Sequence, residues 1–396
     1  MQQFSPIPTK FGYGFSASEP LPEGHGYKYE KVGIYHNYYF TLQNYNWPEE
    51  LKHTSYVVDG FSPNLNKYLH AGHLKNLAVA AAVTNISAKG EAVAMLGASL
   101  GQKPGAYDDL MKWYELAGYE PTIWKDTDLP TPNVPLIDGE GEYVGCKMYN
   151  GVVIYKSDGK PTYAAHDLAF AEIAKPDFYL TGAEQQEHFA SIGLGQKHQP
   201  IGLLLGEDGK KMKSTIKKEG EEANVASATE LFDLIKNSLD TTPNPDQLAW
   251  NILAWQFNSA AKHSNTKFNL KQWSNPNTGG LYISYTYAKM KSALKKAEVE
   301  TVLENNPNAK AQVNENHLPV LGTMAYFTHA FNAAATLLEP HHLAHYAFGL
   351  AKTLAGLYAQ EKFVGGDAGT LYVAYEATEL LGDCMALLGM YPLESI

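Results

Sequence analysis

Residues 54–83 read as strand, turn and helix in immediate succession, and no other stretch constrains the fold as much. Thr54-Ser-Tyr-Val-Val-Asp59 is a short β-prone run, Ser62-Pro-Asn64 is rich in turn formers, and Leu74-Lys-Asn-Leu-Ala-Val-Ala-Ala-Ala-Val83 has helical character. Further apolar, strand-like runs follow at Gly151–Tyr155, Asp177–Leu180 and Pro200–Leu205, with a helical segment at 163–174 between two of them. Strands interleaved with helices predict parallel βαβ units, whose ligands bind at the carboxyl ends of the strands. Residues 121–135, which contain several prolines, read as an insertion. From about residue 225 the apolar spacing turns helical, as at Leu231, Leu234 and Leu239. The Pro307 region and Gly365-Gly366 divide that half into separate helices. Residues 1–53, rich in Tyr, Pro and Gly, read as an irregular, partly stranded lead-in. The expected organisation is therefore a lead-in (1–53), an α/β parallel-sheet domain (54–235) and an all-α helical-bundle domain (236–396), within a length of 396 residues that suits two domains.

Composition excludes several classes of function. With 44% hydrophobic and 18% charged residues and no unbroken apolar run of spanning length, a membrane protein is not expected. The first residues lack the basic start and apolar block of a secretory signal, so a cytoplasmic location is expected. Cys146 and Cys384 are too few for a disulfide framework or a closed structural zinc site, and no metal site is predicted. The formal charge of −11 argues against a surface that coats nucleic acid, DNA included, although a local basic groove is compatible with it. All 31 basic residues are lysine, so no contact to phosphate or carboxylate has the planar fork of a guanidinium.

Two motifs carry chemistry. His70-Ala-Gly-His73 lies between strand and helix, where imidazoles and the backbone N–H groups of a helix start can face an anion, and Gly72 lets the ligand approach closely. Alone, such a pair of histidines is more often structural. Far downstream, Lys210-Lys-Met-Lys-Ser-Thr215 follows an apolar strand on a glycine-flanked loop, where flexible ammonium groups can close on a triphosphate. Alone, it reads as a solvated lysine turn.

In this order, with a βαβ region between them, the two motifs resemble the nucleotide signatures of class I aminoacyl-tRNA synthetases. The block from Val58 to Asn76 resembles the opening block of arginyl-tRNA synthetases. Tyr155–Ala169 is similar to that family's serine-aspartate-glycine stretch with its tyrosine and aspartate, here Tyr163 and Asp167. Thr181–Phe189 resembles its glutamine-glutamine segment, Gly202–Lys211 its strand into the lysine loop, and Gly279–Lys289 and Leu387–Leu393 the start and end of its anticodon-binding bundle. The resemblance implies activation of arginine by ATP to arginyl-adenylate and transfer to tRNA, with Mg²⁺ arriving on the ATP. It implies that His70, Gly72, His73 and Lys211 contact ATP, with Lys213 a second loop lysine in catalysis. Asp59, Asn64 and Gln186 would then hold the amino acid's backbone, and Tyr163 and Asp167 its guanidinium. Tyr163 and Asp167, four residues apart, stack on one helical face, and a carboxylate accepts two parallel guanidinium N–H bonds.

Other polar residues read more plainly. His166 and His188 are as easily structural as functional, Glu184 and Glu187 read as a solvated face, and Tyr282, Tyr285 and Tyr287 as helix core rather than a stacking platform for RNA. The lead-in is short for the family's N-terminal RNA-binding domain, the insertion is abbreviated, and the family's arginines are replaced, at position 75 by lysine. Two alternatives stay open beside the synthetase: a paralogue that passes arginine to another acceptor, and an inactive module that binds tRNA or protein. A monomer is expected.

Overall fold

A computed structural model describes residues 7–9, 12–17, 28–32, 35–40, 55–87, 90–212 and 227–396. The chain forms two compact units, one of residues 54–234 with 260–269 and one of residues 1–53, 235–259 and 270–396.

In the first unit, β5 (Val57–Asp59), α1 (Ala71–Ile86), β6 (Glu91–Leu96), α2 (Ala106–Ala117) and β7 (Thr122–Lys125) form the first half of a parallel sheet. It is completed by β11 (Phe178–Gly182) and β12 (His198–Ile201), in the spatial order β12-β11-β5-β6-β7. All four pairings are parallel, and β11 joins β5 in the register Phe178↔Val58 and Tyr179↔Asp59. This is the doubly wound order in which the sheet reverses direction of growth next to its first strand, and ligands bind where the loops part at that reversal. Here the reversal lies between β5 and β11.

Helix α1 forms because it is alanine-rich and free of glycine after Gly72. It is apolar almost all round, so it is buried rather than amphipathic. Leu74 and Leu77 are fully buried, each contributing about 1.5–3 kcal/mol. A Cβ on Gly60 would come within 2.6 Å of the Ala80 Cβ, so a glycine after β5 is what permits close packing of strand exit on helix. Helix α2 ends at Gly118, whose left-handed φ of 59° closes it.

Three features of this unit differ from the sequence reading. Strand β7 lies inside the proline-containing segment read as an insertion. The run at 151–155 does form a strand, β10 (Val152–Tyr155), but it belongs to a separate antiparallel meander with β8 (Ile137–Asp138) and β9 (Lys147–Tyr149). Its Ile154 packs with Ala164, Ala165 and Leu168 of α3 (Tyr163–Ala174), so it braces that helix instead of extending the parallel sheet. Beyond β11, α4 (Gln186–Ser191) leads through β12 to β13 (Leu204–Leu205), whose partner comes from far along the chain. After α5 (Ala228–Lys236) and α6 (Pro245–Asn258), residues 260–269 return to this unit and β14 (Thr266–Lys267) pairs parallel with β13. Lys75 of α1 holds this return segment, donating from Nζ to the Ser264 carbonyl at 2.7 Å.

In the second unit, residues 7–40 contribute an antiparallel sheet of β1 (Ile7–Thr9), β2 (Gly12–Ala17), β3 (Lys28–Val32) and β4 (Tyr35–Phe40) in the order β1-β2-β4-β3. That is more regular than the expected lead-in. The rest is helical: α6, α7 (Leu270–Trp273), α8 (Gly279–Lys296), α9 (Val299–Asn305), α10 (Leu318–Ala325), α11 (Phe327–Leu337), α12 (His341–Gln360) and α13 (Ala368–Leu387). Helix α8 packs on α6, α12 and α13. Its start approaches α6 so closely that a Cβ on Gly280 would meet the Asn251 carbonyl oxygen at 2.5 Å. Tyr287 is core, as expected, while Tyr282 and Tyr285 are half-buried. Among the described residues no helix is long and apolar enough to cross a membrane.

Candidate active site

A cleft of about 520 Å³ opens in the α/β unit at the carboxyl ends of β5 and β11. Asp59, Asn64, His70, Gly72, His73, Tyr163, Asp167 and Lys211 all line it, so eight of the residues singled out from sequence meet in one place. Lys213 lies outside the described residues. Gln186 is exposed and does not line the cleft; its Oε1 accepts from His198 Nδ1 at 2.7 Å, and its neighbour Gln185 faces the cleft instead.

The histidine motif is built by the start of α1. His70 is the N-cap, in extended backbone conformation, and its N–H donates to His73 Nδ1 at 3.0 Å. The two rings stack with centroids 3.7 Å apart. Burial first, then the neighbouring His70 and Lys67, push the His73 imidazole down to about 3, so it is neutral at any physiological pH. Because its Nδ1 accepts a backbone N–H, its single proton sits on Nε2. His73 therefore offers the cleft a fixed neutral donor. His70 is also held below its usual value, by burial and then by Lys67 and Lys211, and its Nδ1 is buried without a hydrogen-bond partner. A Cβ on Gly72 would press on the His70 ring at 3.1 Å, so glycine keeps that ring in place.

Asp59 closes β5. The Ser62 hydroxyl donates to its Oδ1, and the same Ser62 oxygen accepts the Met95 N–H at 2.9 Å. Burial raises the Asp59 carboxyl to about 7, against the lowering effect of the Ser62 hydroxyl and with a further push from Asp167. Asn64 sits against Gly97, where a Cβ would overlap the Asn64 side chain outright. The backbone bond from Leu65 N–H to Gly97 O, at 2.7 Å, fixes the loop.

Asp167 lies one turn along α3 from Tyr163, which is half exposed. His188 of α4 places Nε2 2.5 Å from Asp167 Oδ2, and that contact holds the imidazole above its usual value against the effect of burial. Lys211 is brought to the cleft by a tight turn in which Gly206 N–H donates to Lys210 O at 2.8 Å and Gly209 takes a φ of 78°. Its Nζ is 3.7 Å from Glu184 Oε1, an exposed pair of little energetic weight.

Asp126 was not foreseen. It is buried at the cleft and accepts the Ala98 and Ser99 N–H groups at 2.8 and 2.9 Å and the Ser99 hydroxyl at 2.6 Å, pinning the loop after β6. Its only sequence signal was an aspartate directly after the unrecognised strand β7. His166 and His188 also line the cleft, and Glu184, read as part of a solvated face, borders it.

Residues 283–396 match the family model described as the DALR anticodon binding domain. Over 282 residues the chain is 25% identical to the arginine–tRNA ligase of Acanthamoeba polyphaga mimivirus, covering 62% of this chain and 46% of that protein. It is 25% identical over 273 residues to that of Borrelia duttonii, covering 60% and 46%. The chain thus spans about half the length of the curated relatives it matches. The fold is shared with the arginyl-tRNA synthetase of Thermus thermophilus (TM-score 0.64, 15% identity, 95% of this chain and 90% of that one). It is shared also with that of Plasmodium falciparum (TM-score 0.65, 15% identity, 93% and 86%). A five-stranded parallel-sheet domain followed by a helical DALR domain, with those relatives in sequence and those neighbours in fold, identifies the chain as an arginyl-tRNA synthetase-like protein.

Proposed function

We propose that the protein activates L-arginine with ATP, forming arginyl-adenylate and pyrophosphate, and passes the arginyl group to tRNA. The observation that carries this reading is the convergence of the histidine motif, Asp59, Asn64, the Tyr163 and Asp167 pair and Lys211 on one cleft at the reversal of the parallel sheet.

In this reading ATP lies along the start of α1, with its phosphates toward the first-turn N–H groups, His70 Nδ1 and Lys211, and with Mg²⁺ carried on the triphosphate. The neutral Nε2–H of His73 donates to the α-phosphate as the substrate carboxylate attacks it in line, and Lys211 withdraws with pyrophosphate. Donors fixed in place before the reaction stabilise charge as it develops, and removing one costs on the order of 10²–10³ in rate. Asn64 orients the attacking carboxylate and Asp59 receives the α-ammonium. A cation beside Asp59 offsets the burial that keeps its carboxyl near neutral pH, so binding and ionisation of that group go together. Asp167 and Tyr163 take the guanidinium. No side-chain nucleophile is needed, because orientation and electrostatics carry nucleotidyl transfer. The helical unit, which contains the DALR match, is the part assigned to tRNA.

The test is pyrophosphate release from ATP with each of the twenty amino acids, with and without total tRNA, beside His73→Ala and Asp167→Ala. Release selective for arginine and lost in both variants supports activation, and arginyl-tRNA among the products supports transfer. Selective release without charged tRNA would replace tRNA by another acceptor. No release under any condition would sink the enzymatic reading.

A further inference from the structure

Asp167, the carboxylate to which the guanidinium is assigned above, already has an imidazole partner. His188 Nε2 lies 2.5 Å from Asp167 Oδ2, at a point where both side chains are only partly exposed, 28% and 19%. The imidazole is fixed from behind. Phe189 meets it edge-on at 5.5 Å and is itself stacked on His198 at 5.0 Å. His198 in turn is held between Gln186 and the Thr181 hydroxyl. Such a chain of ring and hydrogen-bond contacts positions an imidazole; it does not describe a surface histidine that happens to lie nearby.

We propose that His188 is a specificity-determining residue of the amino-acid site, an internal cation that occupies one oxygen of Asp167 and leaves the other to the substrate, so that a guanidinium binds in competition with the charge on the imidazole. This rests on the arginine reading of the cleft. When His188 is protonated, an incoming cation meets a pair whose charges cancel. When His188 is neutral, the cation meets a full carboxylate, and the same Asp167 is still oriented by its neighbour. Cationic side chains are therefore held more tightly as pH rises through the titration of His188, whose contact with Asp167 keeps it protonated to higher pH than an ordinary histidine. An uncharged ureido side chain, as in citrulline, gains nothing from that change, so discrimination between guanidino and ureido acids widens with pH. By reciprocity, binding of arginine lowers the affinity of His188 for its proton by the same factor.

Other titratable groups face the pair. Asp59 comes from β5, Tyr179 from β11, Tyr163 and His166 from α3 itself, and Glu184 from the turn before α4, with Lys211 beyond it. Asp59 titrates near neutral pH and affects arginine binding in its own right. It is common to wild type and any His188 variant, so it cancels in their ratio.

The experiment is calorimetric binding of arginine and of citrulline to the full chain from pH 6.0 to 8.5, for wild type and His188→Gln, together with the imidazole titration of His188 in the wild type by NMR with and without saturating arginine. At pH 6.0 the glutamine variant is expected to bind arginine at least fivefold more tightly than wild type, the two converging within twofold at pH 8.5. The His188 titration is expected to move down by at least about 0.7 of a pH unit on adding arginine, the same fivefold factor read from the proton's side. A ratio that does not change with pH, or a titration that arginine leaves in place, overturns the role of His188 while leaving the arginine reading intact. Failure of the folded wild type to bind arginine at any pH overturns both. The NMR arm uses unmodified protein and decides the matter even where the variant fails to fold.

Discussion

The polar groups at the centre of the helical unit and those around the cleft of the α/β unit are held in different ways. In the helical unit the central polar side chain, Asn251, is matched atom for atom. Its Nδ2 donates to Ser284 Oγ at 3.1 Å and to the Tyr391 carbonyl at 2.8 Å, and its Oδ1 accepts the Tyr391 N–H at 2.6 Å. His317 bridges the Asn314 N–H and Thr370 Oγ1, while Asp367 accepts from Thr370 at the start of α13. In the α/β unit three groups are displaced from their ordinary protonation, each chiefly by burial: Asp59 up to about 7, His73 down to about 3 and Lys75 down to about 8. Satisfied groups fix one packing and lower the free energy of the fold. Displaced groups weaken the fold, and two of these three, Asp59 and His73, line the cleft, where interactions are held in reserve for a ligand.

The largest effect expected from this contrast is at Asp59. Its carboxyl binds its proton more tightly in the folded than in the unfolded chain. Between about pH 4 and 7 the folded state therefore holds more protons, and stability falls as pH rises, by about 4 kcal/mol for a shift of this size. Denaturant melts of wild type and Asp59→Asn are expected to diverge across that window, with the variant the more stable above pH 7; parallel curves would break the contrast. Next comes His73→Ala, expected to lower arginine-dependent pyrophosphate exchange by about 10²–10³, which is about 3–4 kcal/mol, without lowering the melting temperature. Exchange within threefold of wild type would remove His73 from the chemistry. Asn251→Ala reverses the pattern: a loss of about 2–3 kcal/mol in stability, since the Ser284 hydroxyl and the Tyr391 backbone lose their Asn251 partner, with arginine binding per folded molecule unchanged. Weaker arginine binding there would mean that the two units do not divide the labour as described. The smallest effect is at Glu184→Gln, whose exposed pairing with Lys211 contributes less than about 1 kcal/mol, so its melting curve is expected to overlay that of wild type.

Much of the site was legible because its signals are local. Strand, turn and helix from Thr54 to Val83 lie within one stretch, and the spacing of Tyr163 and Asp167 on one face of α3 needs only helical geometry. What escaped depends on partners distant in sequence. A run such as Val152–Tyr155 declares itself a strand but not which sheet it joins. Strand β7 was masked by prolines around it, and with it Asp126. Nothing in Ala260–Asn269 announces a return to the α/β unit, because β14 is two residues long and pairs with a strand 62 residues earlier, as Leu204↔Thr266 shows. Of two adjacent glutamines only position in space distinguishes Gln185, in the cleft, from Gln186, bound to His198. The contact between Asp167 and His188 was equally invisible, since a histidine carries no sequence mark of the carboxylate it will meet.

The return of residues 260–269 has a consequence for how the chain is made. During synthesis from the N-terminus, β13 and the buried amine of Lys75 both wait for a segment that emerges only after α6, which belongs to the other unit. The α/β unit cannot close behind the ribosome as an independent piece. Maturation of the cleft is thereby tied to the appearance of α6, the first helix lying wholly in the helical unit, and a nascent chain stopped before residue 260 holds the histidine motif without the strand that pairs with β13 ahead of the lysine loop.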